Sequence, residues 1–165
     1  MPQPAFITYP DVRLAQPATI GDGVDDALRL IGERLLAAAR EVSAYGLAAA
    51  HIGEVAPVVV ISGAEEPRTY RLLYNARILA VSDETAMGEE GSVSLPGVRV
   101  AIERPVWAEV AFFDETGAVR TERFTGFLAR VAIHEIEQMQ GSFFLERVSR
   151  LKREMALKKA RKHAG

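Results

Sequence analysis

The chain has 165 residues, of which 48% are hydrophobic and 25% charged, and its formal net charge is −2. Length and composition predict one globular domain spanning residues 1–165, and they exclude intrinsic disorder and fibrous repeats. The sequence contains no cysteine, which excludes disulfides, thiolate metal ligands and thiol nucleophiles.

The first predicted element is a helix. Apolar residues recur at steps of three and four from Val24 to Val42, a pattern typical of an amphipathic helix. Asp22 or Gly23 is placed to cap its start, and Gly46 is placed to end it.

A β region follows this helix. Short segments rich in β-branched residues predict strands at 58–61, 70–74, 78–81, 98–102, 106–113 and 118–124. The last two are separated by Asp114-Glu115-Thr116-Gly117, which is typical of a hairpin turn with glycine at its end.

Two helices are predicted in the last third of the chain. The first begins at about Thr125 and ends before Gly141, and the second is polar and amphipathic over 148–162. A helix, then many short strands, then two helices indicates an α+β fold and argues against a parallel sheet built from βαβ units.

The last twenty residues are strongly basic. Residues 146–165 contain eight Lys or Arg and two Glu. This excess predicts docking to a phosphate-rich partner, and the alternative is a solvated terminal helix whose cations lie near its negative dipole end. No apolar stretch is long enough to span a membrane and no secretory leader is present, so we expect a cytoplasmic protein with neither a membrane nor a DNA partner.

Three segments place polar residues among small and apolar ones: GLAAAHIG at 46–53, EEGSVSLPG at 89–97 and HEIEQMQG at 134–141. In the third, His134 and Gln138 are four residues apart and share a helix face, with Glu135 beside them. A metalloprotease-like helix would read HExxH, but here the second histidine is replaced by Gln138. Taken alone, the His134–Glu135 pair also fits a hydrogen-bonded core histidine.

Four further segments accompany these motifs: YPDVRL at 9–14, LLYNARI at 72–78, GFLARVAIHE at 126–135 and FFLERVSRLKR at 143–153. Together the segments resemble the peptide deformylases, metal-dependent enzymes that remove the formyl group from the N-terminal formylmethionine of nascent bacterial proteins. The resemblance is nearly full length. It implies that family's α+β fold, with antiparallel sheets around the HExxH-type helix and helices towards both ends of the chain, and formyl-Met peptides as ligands.

The resemblance also implies roles for individual residues. The family's metal ligands, one Cys and two His, correspond to Ser92, His134 and Gln138, so two of the three are changed. The family's catalytic Glu corresponds to Glu135. The Gln that helps to stabilise the developing oxyanion is replaced by His51.

Substrate contacts are implied by the same resemblance. They lie at Gly46 and Gly91, along the backbone from Val93 to Leu95, and in an apolar slot near Val131. Neither backbone pairing nor an apolar slot requires a metal, so the resemblance allows a binding pocket without one.

The changed ligands weaken the expected metal site. A hydroxyl and a carboxamide are poor replacements for thiolate and imidazole around a borderline-soft divalent ion. We therefore expect either no cofactor or an Fe, Zn or Ni ion that is bound weakly or in a relocated site. Without a metal, water keeps a pKa of about 15.7 rather than about 7, so we expect deformylase activity to be lost or strongly reduced.

Three hypotheses remain open. The first is a binding protein for formylated peptide N-termini or for the ribosome, which the basic C-terminal helix would contact through rRNA phosphate. The second is an active amide hydrolase with a relocated metal site at His51, His134 and either Glu135 or Glu90. The third is a metal-free hydrolase with Ser92 as nucleophile, one of the two histidines as base and one of the two glutamates as orienting acid.

Overall fold

The structure is a computed structural model that describes residues 5–164. It contains three α-helices, seven strands and three short 3₁₀ helices. The α-helices are α1 (Asp26–Val42), α2 (Gly126–Met139) and α3 (Arg150–Ala164), and the 3₁₀ helices are Val12–Ala15, Ala49–Ile52 and Phe144–Arg147. The strands are β1 (Gly46–Ala48), β2 (Val58–Ile61), β3 (Arg71–Val81), β4 (Thr85–Ser92), β5 (Leu95–Pro105), β6 (Trp107–Phe113) and β7 (Val119–Thr125).

The strands form two antiparallel sheets. Five strands pair in the order β1-β2-β3-β6-β7, and β4 and β5 form a separate hairpin. The apolar residues of α2 pack on the inner face of the five-stranded sheet, where Val59, Ile61, Phe112, Ile133 and Ile136 are all buried in one cluster. The prediction of an α+β fold with antiparallel sheets around a central helix is therefore confirmed.

Helix α1 begins and ends at different residues from those predicted. Its N-cap is Asp25, whose carboxylate accepts a hydrogen bond from the Leu28 N–H at 2.8 Å, so the prediction of a cap at Asp22 or Gly23 was wrong. The helix ends at Val42, followed by the C-cap Ser43 at φ 53°, so the prediction of an end at Gly46 was wrong. This earlier end frees Gly46 to begin β1.

Strand β2 has the predicted bounds, and the hairpin turn before β7 is confirmed by Gly117 at φ 85°. The two strands predicted at 70–74 and 78–81 are one strand, β3, with a shift of register after Tyr74. Asn75 at this irregularity adopts φ 53°, and its side chain accepts a hydrogen bond from the Gly21 N–H and donates one to the Gly23 carbonyl. These hydrogen bonds stabilise the bulge and join residues that are far apart in sequence. A local sequence pattern does not contain them, and it therefore predicted two strands instead of one.

Strand β4 was not predicted because its sequence, TAMGEEGS, lacks the alternation of apolar and polar residues. It is held by pairing with β5 along its whole length, from Thr85–Pro105 to Ser92–Leu95. The hairpin places the segment 89–92 beside α2.

The C-terminal helices follow the prediction closely. Thr125 is the N-cap of α2, and Gly141 adopts φ 88° after its end, as expected. Helix α3 begins at Arg150, two residues later than predicted, and packs against β5 with Ala156 buried. Within residues 5–164, no helix has both the length and the apolar composition needed to cross a membrane.

Candidate functional site

A pocket of about 350 Å³ lies between β1, the β4–β5 hairpin and α2. This volume is at the small end of the range for ligand-binding pockets. The residues proposed from the sequence that line it are Gly46, His51, Glu90, Gly91, Ser92, Val93, Leu95, Val131, His134 and Glu135. The structure therefore brings these ten residues to one cavity.

The pocket depends on a close approach of β1 to α2. A Cβ atom on Gly46 would lie 2.7 Å from Val131 Cγ1 and 3.0 Å from Glu135 Cγ. These distances are shorter than van der Waals contact, so glycine at this position allows Val131 and Glu135 to reach the pocket wall.

Gln138 is the proposed residue that does not line the pocket. Its Nε2 donates a hydrogen bond to the Leu14 carbonyl at 2.7 Å, and the residue is 1% exposed. A buried amide needs a partner, and the carbonyl of Leu14 in the first 3₁₀ helix supplies one. Among residues 5–164, no group of three or more His, Cys, Asp or Glu side chains is arranged to hold a metal ion.

His51 is buried, and a backbone group fixes its orientation. The Ala48 N–H donates to His51 Nδ1 at 3.0 Å, and His51 Nε2 lies 3.5 Å from Ser92 Oγ. Burial and the nearby His134 lower the pKa of His51 to about 3, so the ring is neutral at physiological pH. Because Nδ1 accepts a hydrogen bond in a neutral ring, the ring proton is on Nε2.

Ser92 is the last residue of β4 and follows an irregularity in the pairing with β5. Its Oγ accepts a hydrogen bond from the Ser94 N–H at 3.1 Å. The hydroxyl hydrogen takes no part in that bond, so Ser92 can still donate to a group in the pocket.

His134 is held by a buried carboxylate. Its Nδ1 lies 2.7 Å from Glu90 Oε1, and Glu90 also accepts two hydrogen bonds from Arg104 at 2.8 Å and one from Arg130 at 2.7 Å. Burial opposes ionisation of Glu90, but the hydrogen bonds from Arg104 and His134 outweigh it and lower its pKa to about 2. Because Glu90 is an ionised acceptor, the Nδ1 of His134 carries a proton and donates it to Glu90.

The ionic network extends beyond the pocket. Arg104, which is 1% exposed, also donates to Glu137 at 2.6 Å, and Glu137 forms a further ion pair with Arg147. Three cations and two carboxylates therefore connect β4, β5, α2 and the third 3₁₀ helix. The alternating burial of β5 places Ile102 and Arg104 on the same inward face.

The sequence reasoning missed Arg104 and Arg130 as parts of the site. The structure places Arg104 near the end of β5. The available signal was its spacing of two from the apolar Ile102, since an arginine in an inward-facing position requires an acidic partner. Arg130 had a similar signal, because it precedes His134 by one helical turn.

Glu135 is buried without a hydrogen-bond partner for one of its oxygens. The residue is 5% exposed, and within the described residues its Oε1 has no partner, the His51 Nδ1 being 3.8 Å away. Burial raises the pKa of Glu135 to about 7, against the opposing effect of His134. At the pocket wall, Glu135 Oε1 is therefore a polar atom without a hydrogen-bond partner among residues 5–164.

The basic helix α3 ends close to the mouth of the pocket. Its His163 packs over Gly97 in the β4–β5 hairpin, so closely that a Cβ atom on Gly97 would overlap the imidazole. Lys159 and Arg99 line an adjoining surface depression.

Comparison with known proteins places these features in a family. Residues 4–154 match the family model of polypeptide deformylases. The chain is 39% identical over 159 residues, 95% of this chain and 92% of the relative, to a peptide deformylase-like protein of Bradyrhizobium diazoefficiens. It is 33% identical to a peptide deformylase of Mesorhizobium japonicum, over 99% of this chain and 94% of that one.

A solved structure is similar over the same extent. The crystal structure of peptide deformylase from Ehrlichia chaffeensis in complex with actinonin superposes with a TM-score of 0.90 at 28% identity, covering 99% of this chain and 98% of that one. The fold described above, including the central α2 and the two sheets, is therefore shared along nearly the whole chain.

Proposed function

The chain belongs to the peptide deformylase family, and from that premise we propose that it binds the N-terminal segment of formylated peptides while its deformylase activity is lost or strongly reduced. The observation that carries this proposal is the direction of Gln138. The side chain at this family ligand position is hydrogen-bonded to the Leu14 carbonyl and is absent from the pocket lining.

The remaining donors do not fit the family's divalent metal. His134 can contribute one nitrogen at most, Nε2, because its Nδ1 is hydrogen-bonded to Glu90. His51 carries its proton on the nitrogen nearest Ser92, and Ser92 is a neutral hydroxyl whose oxygen accepts from a backbone N–H. One imidazole and one hydroxyl are too weak a set to hold Fe, Zn or Ni where a thiolate and two imidazoles are usual.

The geometry also disfavours a relocated metal site. His51 Nδ1 is occupied by the Ala48 N–H, and Glu90 already accepts four hydrogen bonds, so neither has a free lone pair directed at the pocket. The raised pKa of Glu135 makes it a poor ligand near neutral pH. A serine-nucleophile mechanism with His51 as base lacks support too, because the Nε2 of His51 faces Ser92 with a proton.

Peptide binding is supported by the strands that border the pocket. β1 is at the edge of its sheet and, among residues 5–164, β4 pairs only with β5, so two strand edges border the same cavity. An extended peptide can add to such an edge through backbone hydrogen bonds. The segment 89–92 borders the cavity, and so do Val93 and Leu95 of the stretch predicted to contact the peptide backbone.

A side-chain slot lies next to these edges. Val131 borders it together with the aromatic rings of Phe127 and Tyr45, which contact each other edge to face. Arg130 lines the same pocket, so the slot combines apolar walls with one charged side. This lining supports binding of a short peptide with a side chain in the slot.

The test combines a binding measurement with an assay of hydrolysis. We expect a formyl-Met tripeptide to bind the unaltered protein in calorimetry, with formate release at least ~100-fold slower than in a variant with restored ligands. That variant is Ser92→Cys with Gln138→His, and we expect it to bind about one equivalent of Zn or Ni. Rapid formate release by the unaltered, metal-supplemented protein would contradict the proposal.

A matched control separates ligand geometry from the mere addition of a thiol and an imidazole. In the control, Ser92→Cys is combined with Gln140→His, which places the new histidine at an exposed position just after α2. We expect this variant to bind metal no better than the unaltered protein. If neither formylated nor free peptides bind the unaltered protein, the binding half of the proposal is wrong.

We also propose that α3 contacts RNA phosphate at the ribosome. Arg150, Lys152, Lys158, Lys159, Arg161 and Lys162 are all exposed, and Ala156 forms the buried side of the helix. Exposed cations bind phosphate with a strong dependence on salt. Substituting Lys158→Glu and Lys162→Glu is expected to weaken sedimentation with ribosomes and to lower the salt slope, and no change in either would contradict this contact.

A further inference from the structure

Arg130 brings a guanidinium to the side-chain slot, and three hydrogen bonds hold that group in place. Its Nη1 donates to Glu90 at 2.7 Å and to the Ile102 carbonyl at 2.9 Å. Its Nη2 donates to the Ala86 carbonyl at 2.8 Å. Because these acceptors belong to β4 and β5, the guanidinium has a fixed position between α2 and the hairpin.

Two N–H groups of Arg130 remain without a partner. A guanidinium carries five N–H hydrogens, and the three bonds above use both hydrogens of Nη1 and one of Nη2. Among residues 5–164, neither Nε–H nor the second hydrogen of Nη2 has an acceptor. The side chain lines the pocket and is 13% exposed, so a ligand in the slot would replace most of the water that these hydrogens contact.

Gly88 in β4 makes room for this group. A Cβ atom on Gly88 would lie 2.8 Å from Arg130 Cζ and 2.9 Å from Arg130 Nε. Both distances are shorter than van der Waals contact, so any larger residue at this position would displace the guanidinium. The absence of a side chain at residue 88 therefore sets where the charged wall of the slot lies.

The charges around Arg130 favour an oxygen in the slot. In the ionic network, Arg104, Arg130 and Arg147 share the two carboxylates of Glu90 and Glu137. The network therefore has one more cation than carboxylates. An atom that carries partial or full negative charge is attracted to such a group, and hydrogen bonds from a charged donor are stronger than neutral ones.

We infer that Arg130 makes the slot selective for a first peptide side chain that ends in an oxygen acceptor, such as methionine sulfoxide or glutamine, over unmodified methionine. The inference rests on the proposed function, because it names the class of peptide N-terminus that the pocket takes. No covalent step is involved.

The lining of the slot explains why both parts of such a side chain fit. Its carbon stem would pack against Phe127 and Val131, and its terminal oxygen would accept from the unpaired N–H groups of Arg130. A side chain that is apolar to its end would cover these N–H groups and leave them unpaired. Buried donors discriminate strongly against ligands of that kind.

Calorimetry on matched peptides tests the inference with the unaltered protein. Four formylated tripeptides differ only in the first residue, which is norleucine, methionine, methionine sulfoxide or glutamine. We expect the sulfoxide or the glutamine peptide to bind at least about tenfold more tightly than the norleucine peptide. A preference for either one supports the inference, and the ranking of the two identifies the acceptor. Tightest binding of norleucine or methionine would overturn it.

Two variants test whether the preference comes from the guanidinium. Arg130→Met removes the donors and should make norleucine the preferred residue. Gly88→Ala retains the positive charge but displaces the group, so it should reduce the preference to about threefold or less. The control is Arg34→Met, which removes an arginine from an exposed ion pair with Glu54, outside the pocket lining. An unchanged preference in Arg130→Met would overturn the inference.

NMR of arginine Nε–H groups in the unaltered protein gives a readout that does not depend on variants folding. Dimethyl sulfoxide, which carries the same S=O group as methionine sulfoxide, should shift the Nε–H signal of Arg130 more than that of Arg34. Equal shifts at the two arginines would overturn the inference.

The two proposals fail in different ways. If the four peptides bind equally, the selectivity of the slot is wrong and the peptide-binding function stands. If no peptide binds but dimethyl sulfoxide still shifts Arg130 Nε–H selectively, the peptide-binding function is wrong and the oxygen-accepting slot stands.

Discussion

On the α2 side of the pocket, Glu90 accepts four hydrogen bonds, and Arg104 joins it to Glu137 in a buried network. On the floor of the same pocket, His51 and Ser92 are 3.5 Å apart and Glu135 leaves one oxygen without a partner in the described part of the chain. Paired buried charges fix the shape of a site, whereas unpaired polar groups can still form hydrogen bonds to a ligand. We therefore expect the α2 side to maintain the shape of the pocket and the floor to contact a ligand.

The largest loss of stability is expected when the buried ionic network loses Arg104, the cation that joins Glu90 to Glu137. Arg104→Met leaves Glu90 and Glu137 buried without their shared partner, and breaking a buried ion pair in this way costs about 3–5 kcal/mol. Urea denaturation measures the free energy of unfolding.

The matched control is Arg150→Met, which removes an arginine from an exposed ion pair with Glu154. An exposed pair contributes about 0–1 kcal/mol, so little change is expected. If the two variants lost similar stability, the network would not be holding the shape of the pocket.

The next largest effect is on the pH dependence of stability, to which His51 and Glu135 on the floor of the pocket contribute in opposite directions. The pKa of His51 is lowered from 6.5 to about 3 by burial and by His134, and burial raises that of Glu135 from 4.5 to about 7. Between pH 4.5 and 6.5 the unfolded chain holds a proton on His51 that the folded protein lacks, so this group makes stability rise with pH. Over the same range the folded protein holds a proton on Glu135 that the unfolded chain has lost, which makes stability fall with pH.

These two slopes, each about 1.4 kcal/mol per pH unit, oppose each other in the unaltered protein. His51→Gln leaves the falling slope of Glu135, and Glu135→Gln leaves the rising slope of His51. The free energy of unfolding should therefore change by about 2–3 kcal/mol across this pH range, in opposite directions for the two variants. Parallel curves for both variants would mean that the two groups are not buried in these protonation states.

Local patterns were enough to predict the elements whose own residues determine them. The run Val58–Ile61 is buried on both faces, and the turn before β7 is set by Asp114 and Gly117. Helix α2 was predictable from its apolar spacing between Thr125 and Gly141. Strand β4 was not, because its pairing partner, rather than its own composition, makes it a strand.

The residues of the site were likewise only partly predictable from local sequence patterns. Helical spacing places His134 and Glu135 at the pocket, but it fixes only where a side chain begins. The side chain of Gln138 turns to the Leu14 carbonyl, 124 positions away in sequence, and no local pattern contains that partner. The tautomer of His51 also depends on a three-dimensional contact, the hydrogen bond from Ala48.

The smallest effect is expected at the floor, from Ser92→Ala. The substitution removes the acceptor for the Ser94 N–H, a single neutral hydrogen bond that contributes about 1 kcal/mol to stability. Ser142→Ala, which removes a more exposed bond to Glu146, is the control and should cost about 0.5 kcal/mol or less. A loss near that of Arg104→Met would show that the floor also supports the fold, and the contrast between the two sides would fail.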